Sequence, residues 1–160
     1  MAFEPCNADI GERTLTTYEG PLPKPDRDSQ AYWEAARRHE LVLQQCNDCE
    51  KFRFYPRVIC PHCMSERFEW RQSSGHGVVY SFTVVHRPPT PFFRDKVPYV
   101  VALIDLQEGV RMMSNVVGCD PGDVKIGDHV EVIFEDINEE ITLPKFKLRQ
   151  VLDSSMGGEV

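Results

Sequence analysis

The C-terminal half of the chain alternates apolar and polar positions with the period of a β-strand. Five runs follow this pattern or are rich in β-branched and aromatic residues. The runs lie at residues 77–85, 99–106, 110–117, 130–136 and 143–149. Gln107-Glu108-Gly109, between the second and third runs, is typical of a hairpin turn, and a longer connection precedes the fourth run. This order predicts a mainly β fold with a five-stranded Greek-key barrel of the OB type.

The N-terminal half predicts one helix. It is expected over residues 30–39, with Asp28 or Ser29 available as the N-cap. Tyr32 and Trp33 give this helix an apolar stripe. The stripe either packs on the core of the same chain or docks onto a partner, and the sequence leaves both possibilities open.

The same patterns divide the chain into four regions. Residues 1–28 contain several prolines and glycines and show no sustained periodicity, which predicts an extended arm that is ordered only against something else. The helix and a cysteine-rich segment occupy 29–71, the barrel occupies 72–152, and a flexible tail is expected at 153–160.

Four of the six cysteines form two CxxC pairs with ten residues between them: Cys46, Cys49, Cys60 and Cys63. Two such turns direct four sulfurs to one tetrahedral Zn²⁺ ion. Residues 52–59 can supply two short strands of a rubredoxin-like zinc ribbon, with further strands at 41–45 and 68–71. Four thiolates leave no open coordination position, so the zinc is expected to be structural.

Other interpretations of the cysteines have weaker support. Disulfides are disfavoured in a cytoplasmic chain, and a redox CxxC needs a thioredoxin-like βαβ setting that the pattern lacks. His62, inside the second pair, is expected to lie beside the metal or to be exposed. Cys6 and Cys119 lie outside the cluster and are interpreted as free thiols.

Charge and composition narrow the function. The 160 residues carry a formal charge of −7, and the barrel region 72–150 holds 8 Lys and Arg against 11 Asp and Glu. This balance argues against a nucleic-acid partner, which requires a positive field. No run is long and apolar enough for a membrane span, and the N-terminus lacks the features of a signal peptide, so we expect a cytoplasmic protein without a membrane partner.

One loop of the barrel, residues 86–99, combines stiffness, cations and apolar rings. Arg87, Arg94 and Lys96 can meet phosphates, while Phe92 and Phe93 offer apolar surface. The loop is either a core plug surrounded by solvated charges or a contact surface for a protein partner or for an acyl-CoA carried by that partner.

Motifs of self-sufficient catalysis are missing from the sequence: it has no nucleophile elbow, phosphate-binding glycine loop or HExxH. His86, Asp105 and Asp128 are isolated and are interpreted as structural. We therefore expect no catalytic residue in this chain.

Five motifs stand in a defined order within residues 29–150. They are Tyr32-Trp33-Glu34, the four paired cysteines, Gly77-Val78-Val79-Tyr80-Ser81, Val97-Pro98-Tyr99 and Ile126-Gly127-Asp128-His129-Val130. As a set they resemble the acyl-CoA-associated zinc-ribbon/OB-fold family, long classed as a domain of unknown function. The small zinc-binding subunit of benzoylsuccinyl-CoA thiolase, from anaerobic toluene degradation, belongs to the proteins that the chain resembles.

The resemblance implies a zinc-stabilised, non-catalytic subunit in a hetero-oligomer with a thiolase-like or aldolase-like protein, as in aromatic or steroid degradation. The CoA thioester would be bound mainly by that partner. Partner or acyl-CoA contacts are expected at Tyr32, Trp33, Arg87, Phe92, Phe93, Arg94 and Lys96. Two alternatives remain: a single-stranded nucleic-acid-binding OB module, and a self-sufficient acyl-CoA-binding or hydrolytic domain that uses His86 and Arg87.

Overall fold

The computed structural model describes residues 20–149. The predicted tail at 153–160 and most of the predicted arm lie outside this range, and residues 20–28 contain no helix or strand. The described elements are α1 (Gln30–Arg37), β1 (Val42–Cys46), β2 (Phe52–Arg53), β3 (Phe68–Gln72), β4 (His76–Val85), a 3₁₀ turn (Pro91–Phe93), β5 (Tyr99–Leu106), β6 (Arg111–Val116), β7 (His129–Asp136) and β8 (Thr142–Leu148). No helix in the described part of the chain is long and apolar enough to cross a membrane.

The first three strands form an antiparallel sheet in the order β2-β1-β3. Only Phe52–Arg53 of the 52–59 segment is a strand, so the prediction of two strands there is half wrong. Where the second strand was expected, the N–H of Arg57 donates to the side-chain oxygen of Gln44 in β1 at 3.0 Å. A backbone group bonded in this way does not join a sheet ladder.

The other five strands close into a barrel in the order β4-β5-β6-β8-β7, which confirms the predicted OB-type architecture. Four of the five seams are antiparallel, and the fifth is a parallel contact between β6 and β8 with one register pair, Val116 and Phe146. The pairing of β4 with β5 shifts between Val79 and Ser81, and Tyr80 at this bulge is exposed. The turn at Gly109, with φ +79°, closes the predicted β5–β6 hairpin.

The barrel interior is aliphatic, with Phe146 as its largest fully buried side chain. Tyr32, Leu41 and Leu43 belong to the same hydrophobic cluster as the barrel residues. The apolar stripe of α1 therefore packs on this chain's own core, which decides between the two possibilities that the sequence left open.

Helix α1 ends two residues earlier than predicted, because the backbone turns at His39, where φ is +59°. The His39 ring stacks on Phe134 of β7 at a centroid distance of 5.3 Å. Its Nε2 also lies 2.9 Å from the Oδ1 of Asp136. The end of the helix is thus fixed to the outer side of the barrel.

Candidate metal centre

Both CxxC pairs are built by the same backbone turn. In the first, the N–H of Glu50 donates to the carbonyl of Cys46 at 2.9 Å, and Glu50 has φ +59°. In the second, the N–H of Met64 donates to the carbonyl of Cys60 at 3.0 Å, and Met64 has φ +63°. The left-handed residue after each pair closes the turn and leaves the two sulfurs on the same side.

The turns bring the four predicted ligands together. All four sulfur atoms lie within 4.8 Å of one another. The Sγ atoms of Cys46 and Cys63 are 3.5 Å apart, and those of Cys49 and Cys60 are 3.7 Å apart. Tetrahedral Zn²⁺ with Zn–S bonds of about 2.3 Å requires sulfur–sulfur edges of about 3.8 Å. The cluster therefore fits a zinc ion.

The turns also favour the thiolate form of the first cysteine in each pair, Cys46 and Cys60. The N–H groups of Cys49 and Asp48 point at the sulfur of Cys46 and lower the pKa of that thiol. Burial opposes the charged form of Cys60, yet the N–H groups of His62 and Cys63 lower its pKa to about 6. Cys63 behaves differently: although Ser65 donates to it, burial and the neighbouring sulfurs raise its pKa to about 12. The raised pKa of Cys63 reflects the cost of placing a further negative charge beside the other sulfurs. A divalent cation bound among the four sulfurs relieves this repulsion.

A second set of contacts ties the two turns to each other. The Asp48 carboxylate, in the first turn, accepts from the hydroxyl of Ser65 and from the guanidinium of Arg67. These two contacts lower the pKa of Asp48. The segment after the second turn is thereby held against the first turn. This contact could not be predicted from the sequence, because an Asp and an Arg 19 residues apart carry no local signal.

The two predicted contact residues of α1, Tyr32 and Trp33, differ in burial. Tyr32 is 3% exposed and packs against Trp33, Phe54 and Tyr55. It is therefore a core residue and is no longer a candidate for contact with a partner. Trp33 is half-buried, and its Nε1 donates to the Tyr55 hydroxyl at 3.1 Å.

The 86–99 loop keeps its cations and part of its rings at the surface. Arg87 and Arg94 are exposed, and Phe92 and Phe93 are half-buried. The ammonium of Lys96 lies 3.6 Å from the centre of the Phe92 ring. Beside the loop is an open depression of ≈ 510 Å³, lined by Pro21, Thr90, Pro91 and Phe92.

Exposed apolar side chains on the ribbon were not predicted from the sequence. Four large apolar side chains within residues 55–64, here together called the ribbon patch, are exposed: Tyr55, Val58, Ile59 and Met64. They flank the second cysteine pair, and Met64 is 72% exposed. The adjacent Val58-Ile59 pair, directly before Cys60, was the available signal.

Two of the isolated polar residues, Asp105 and Asp128, have structural partners. Asp105 accepts from Arg111 at 2.6 and 2.9 Å. The Asp128 carboxylate accepts from the N–H of Lys125 at 2.7 Å. His86 is exposed, Cys119 is half-buried beside the core, and Cys6 lies outside the described residues.

The fold and the four-sulfur cluster define a class of protein, a zinc ribbon followed by an OB barrel. The model described as the rubredoxin-like zinc ribbon domain of ChsH2 matches residues 33–69. The model described as the C-terminal OB-fold domain of ChsH2 matches residues 70–135. The chain belongs to the DUF35 family, which contains both domains. The family expected from the sequence motifs is confirmed.

Relatives of the chain differ in their descriptions and lengths. A DUF35 domain-containing scaffold protein of Methanothermobacter thermautotrophicus is 40% identical over 105 residues, 65% of this chain and 78% of that protein. A probable enoyl-CoA hydratase alpha subunit of Thermomonospora curvata is 41% identical over 127 residues, 79% of this chain. The aligned part is only 39% of that hydratase subunit, so the chain spans well under half of its length.

Two further matches come from complexes. The BbsA subunit of benzoylsuccinyl-CoA thiolase from Thauera aromatica is 29% identical over 110 residues, 67% of this chain and 74% of BbsA. A chain in the solved structure of the Ltp2-ChsH2(DUF35) aldolase is 40% identical and superposes with a TM-score of 0.72. That match covers 79% of this chain and 98% of the other.

Proposed function

We propose that this chain is a zinc-stabilised, non-catalytic subunit that binds a thiolase-like protein and helps to form an acyl-CoA complex that cleaves carbon–carbon bonds. The observation that carries the proposal is the ribbon patch beside a closed four-thiolate centre. Zinc with four cysteine ligands has no open position for chemistry. A small ribbon that exposes several large apolar side chains is typical of a protein-interaction site.

The relatives support this assignment and suggest its chemical setting. Two of the relatives are named as subunits of a CoA-thioester enzyme, a probable enoyl-CoA hydratase and benzoylsuccinyl-CoA thiolase, and a third comes from the structure of an aldolase. We infer a setting in aromatic or steroid breakdown, with the CoA thioester held mainly by the partner. The exposed cations of the 86–99 loop, Arg87 and Arg94, together with Lys96, are proposed to face the phosphates of that CoA.

Charge pairing in the barrel argues against the nucleic-acid alternative. Arg111 is paired with Asp105, Lys145 with Glu135 and Lys147 with Glu131. A groove for single-stranded nucleic acid needs cations aligned with aromatic rings, whereas these strand cations are each neutralised by an acid on a neighbouring strand.

Co-expression with a thiolase-like protein from the same genome tests the proposal. We expect a complex that survives size-exclusion chromatography, contains one zinc per copy of this chain, and cleaves or forms an acyl-CoA carbon–carbon bond faster than the partner alone. A chain that elutes alone and leaves the partner's activity unchanged contradicts the proposal. Retention of single-stranded DNA at low salt would instead support the nucleic-acid alternative.

The ribbon patch can be tested with a matched pair of variants. Met64→Glu places a charge in the patch, whereas Met113→Glu places the same charge on the outer barrel face. The two methionines are similarly exposed, at 72% and 67%. We expect Met64→Glu to weaken the complex at least tenfold and Met113→Glu to leave it unchanged, with full zinc content in both. Equal affinities would refute docking through the ribbon.

A further inference from the structure

A buried cation lies within the ribbon without an acidic partner. Arg53 of β2 is only 4% exposed, and it takes part in none of the ion pairs within residues 20–149. Its Nε donates to the side-chain oxygen of Gln44 at 2.7 Å, and its Nη2 donates to the carbonyl of Val58 at 3.4 Å. Its Nη1 is buried with no hydrogen-bond partner among the described residues.

Strand register places this guanidinium on the sulfur side of the sheet. Arg53 pairs with Gln44, and Cys46 pairs with Phe68. Antiparallel partners point to the same face, and so do residues two apart in one strand such as Gln44 and Cys46. The guanidinium carbon of Arg53 also lies 4.7 Å from the centre of the Phe68 ring. The cation therefore shares a face with Cys46, one of the four clustered cysteines.

A buried guanidinium is costly unless an opposite charge compensates it. Hydrogen bonds to Gln44 and Val58 satisfy two of its donors, but both acceptors are neutral. Four thiolates around one Zn²⁺ carry a net charge of −2. We propose that Arg53 is the counter-charge of this zinc centre and that Gln44 is the positioning residue that aims it. The inference rests on the zinc centre of the proposed function and is independent of partner binding.

A purely structural role makes different predictions. If Arg53 only braces the segment before Cys60 through the Val58 carbonyl, its charge is irrelevant and only its hydrogen bonds count. If it is the counter-charge, a lysine at this position keeps most of its effect. The effect of Arg53 must also shrink when the charge of the metal centre itself is reduced.

The experiment measures the zinc affinity of the full-length chain by competition with a chelator of known affinity. The wild type is measured first, and failure to bind zinc would refute the zinc centre of the proposed function itself. We expect Arg53→Met to weaken zinc binding about 10- to 100-fold, the range for residues that support metal ligands, and Arg53→Lys to recover most of that loss. Arg71→Met, at an exposed arginine of the same sheet that pairs with Glu69, is the matched control and should stay within twofold of wild type.

The Cys63→His background separates charge from bracing, because a Cys₃His zinc centre carries −1 instead of −2. There, Arg53→Met should cost a smaller factor than in the wild type. The proposal is overturned if Arg53→Met binds zinc as tightly as Arg71→Met. It is equally overturned if Arg53→Lys is as weak as Arg53→Met and the cost is the same in both backgrounds. If Arg53→Met does not fold, Arg53→Lys decides: zinc binding near wild type supports the counter-charge, and a loss beyond 10-fold refutes it.

Discussion

Substitution of Gly77 by alanine tests the close approach of the first two barrel strands. Gly77 pairs with Leu106 of β5 and with Val130 of β7, so strands confine it on both sides. A Cβ at this position would lie 2.7 Å from the carbonyl oxygen of Asp105 and 2.7 Å from a methyl carbon of Ile104. Both distances are about 0.7 Å short of ordinary contact.

The cost follows from which atoms must move. The Asp105 oxygen belongs to the backbone of a paired strand and cannot rotate away as a side chain can. Relief requires β4 and β5 to separate locally, as in an overpacked core, which costs about 1–3 kcal/mol of unfolding free energy. Urea unfolding of the zinc-loaded protein, followed by circular dichroism, should show a lower midpoint for Gly77→Ala with an unchanged slope.

Gly122→Ala is the matched control. Its Cβ would meet only the Asp120 side-chain oxygen, at 3.2 Å, and that side chain is exposed and can shift. We expect its unfolding free energy to stay within about 0.5 kcal/mol of wild type. If Gly77→Ala is as stable as Gly122→Ala, the argument from strand separation is wrong.

Three further predictions concern the ribbon, the core and the surface. Zinc removal by a chelator should unfold residues 41–71, because the zinc-binding free energy of about 10–16 kcal/mol is folding free energy here. The fluorescence of Trp33 and Trp70 should shift to longer emission wavelength, while the barrel keeps its β circular dichroism. Unchanged emission would contradict this prediction. Phe146→Ala should lower the unfolding free energy by about 3–5 kcal/mol, measured by urea unfolding, and a loss below 1 kcal/mol would show that the barrel core repacks freely. Asp105→Asn should cost under about 1 kcal/mol at pH 7, because its pair with Arg111 is exposed. Hydrogen bonds from Arg111 lower the pKa of Asp105 in the folded state, so the pair stabilises the protein fully above the unfolded pKa of about 3.9. The difference between wild type and variant should shrink as pH falls below about 3.9 and vanish once pH has fallen through the lower folded-state pKa.

The barrel strands and the metal ligands could be predicted because their signals are local. Alternation marks each strand without reference to its neighbours, and the spacing of a CxxC pair is set by one turn of backbone. The order of strands is not local: the contact between Val116 and Phe146 that closes the barrel joins residues 30 apart and carries no pattern in either run.

Burial of individual side chains was harder to predict. An aromatic residue such as Tyr32 looks the same in the sequence whether it covers a core or docks onto a partner. Its burial depends on residues distant in the sequence, such as Phe54 and Tyr55, whose rings pack against it. The burial of Arg53 could not be predicted for a similar reason. An arginine in a short strand is normally expected to be exposed, and only its pairing with Gln44 shows that it is buried.

The parallel contact between β6 and β8 has a consequence for the motions of the barrel. One register pair holds this seam, together with two hydrogen bonds. The N–H of Val117 donates to the carbonyl of Phe146 at 2.8 Å, and the hydroxyl of Ser114 donates to the carbonyl of Pro144 at 2.8 Å. Every other seam is held by a longer antiparallel ladder. Local opening favours the place with the fewest interactions to break. We therefore expect the barrel to open first along the β6–β8 seam. In hydrogen exchange, the amides along this seam should lose protection before those between β4 and β5.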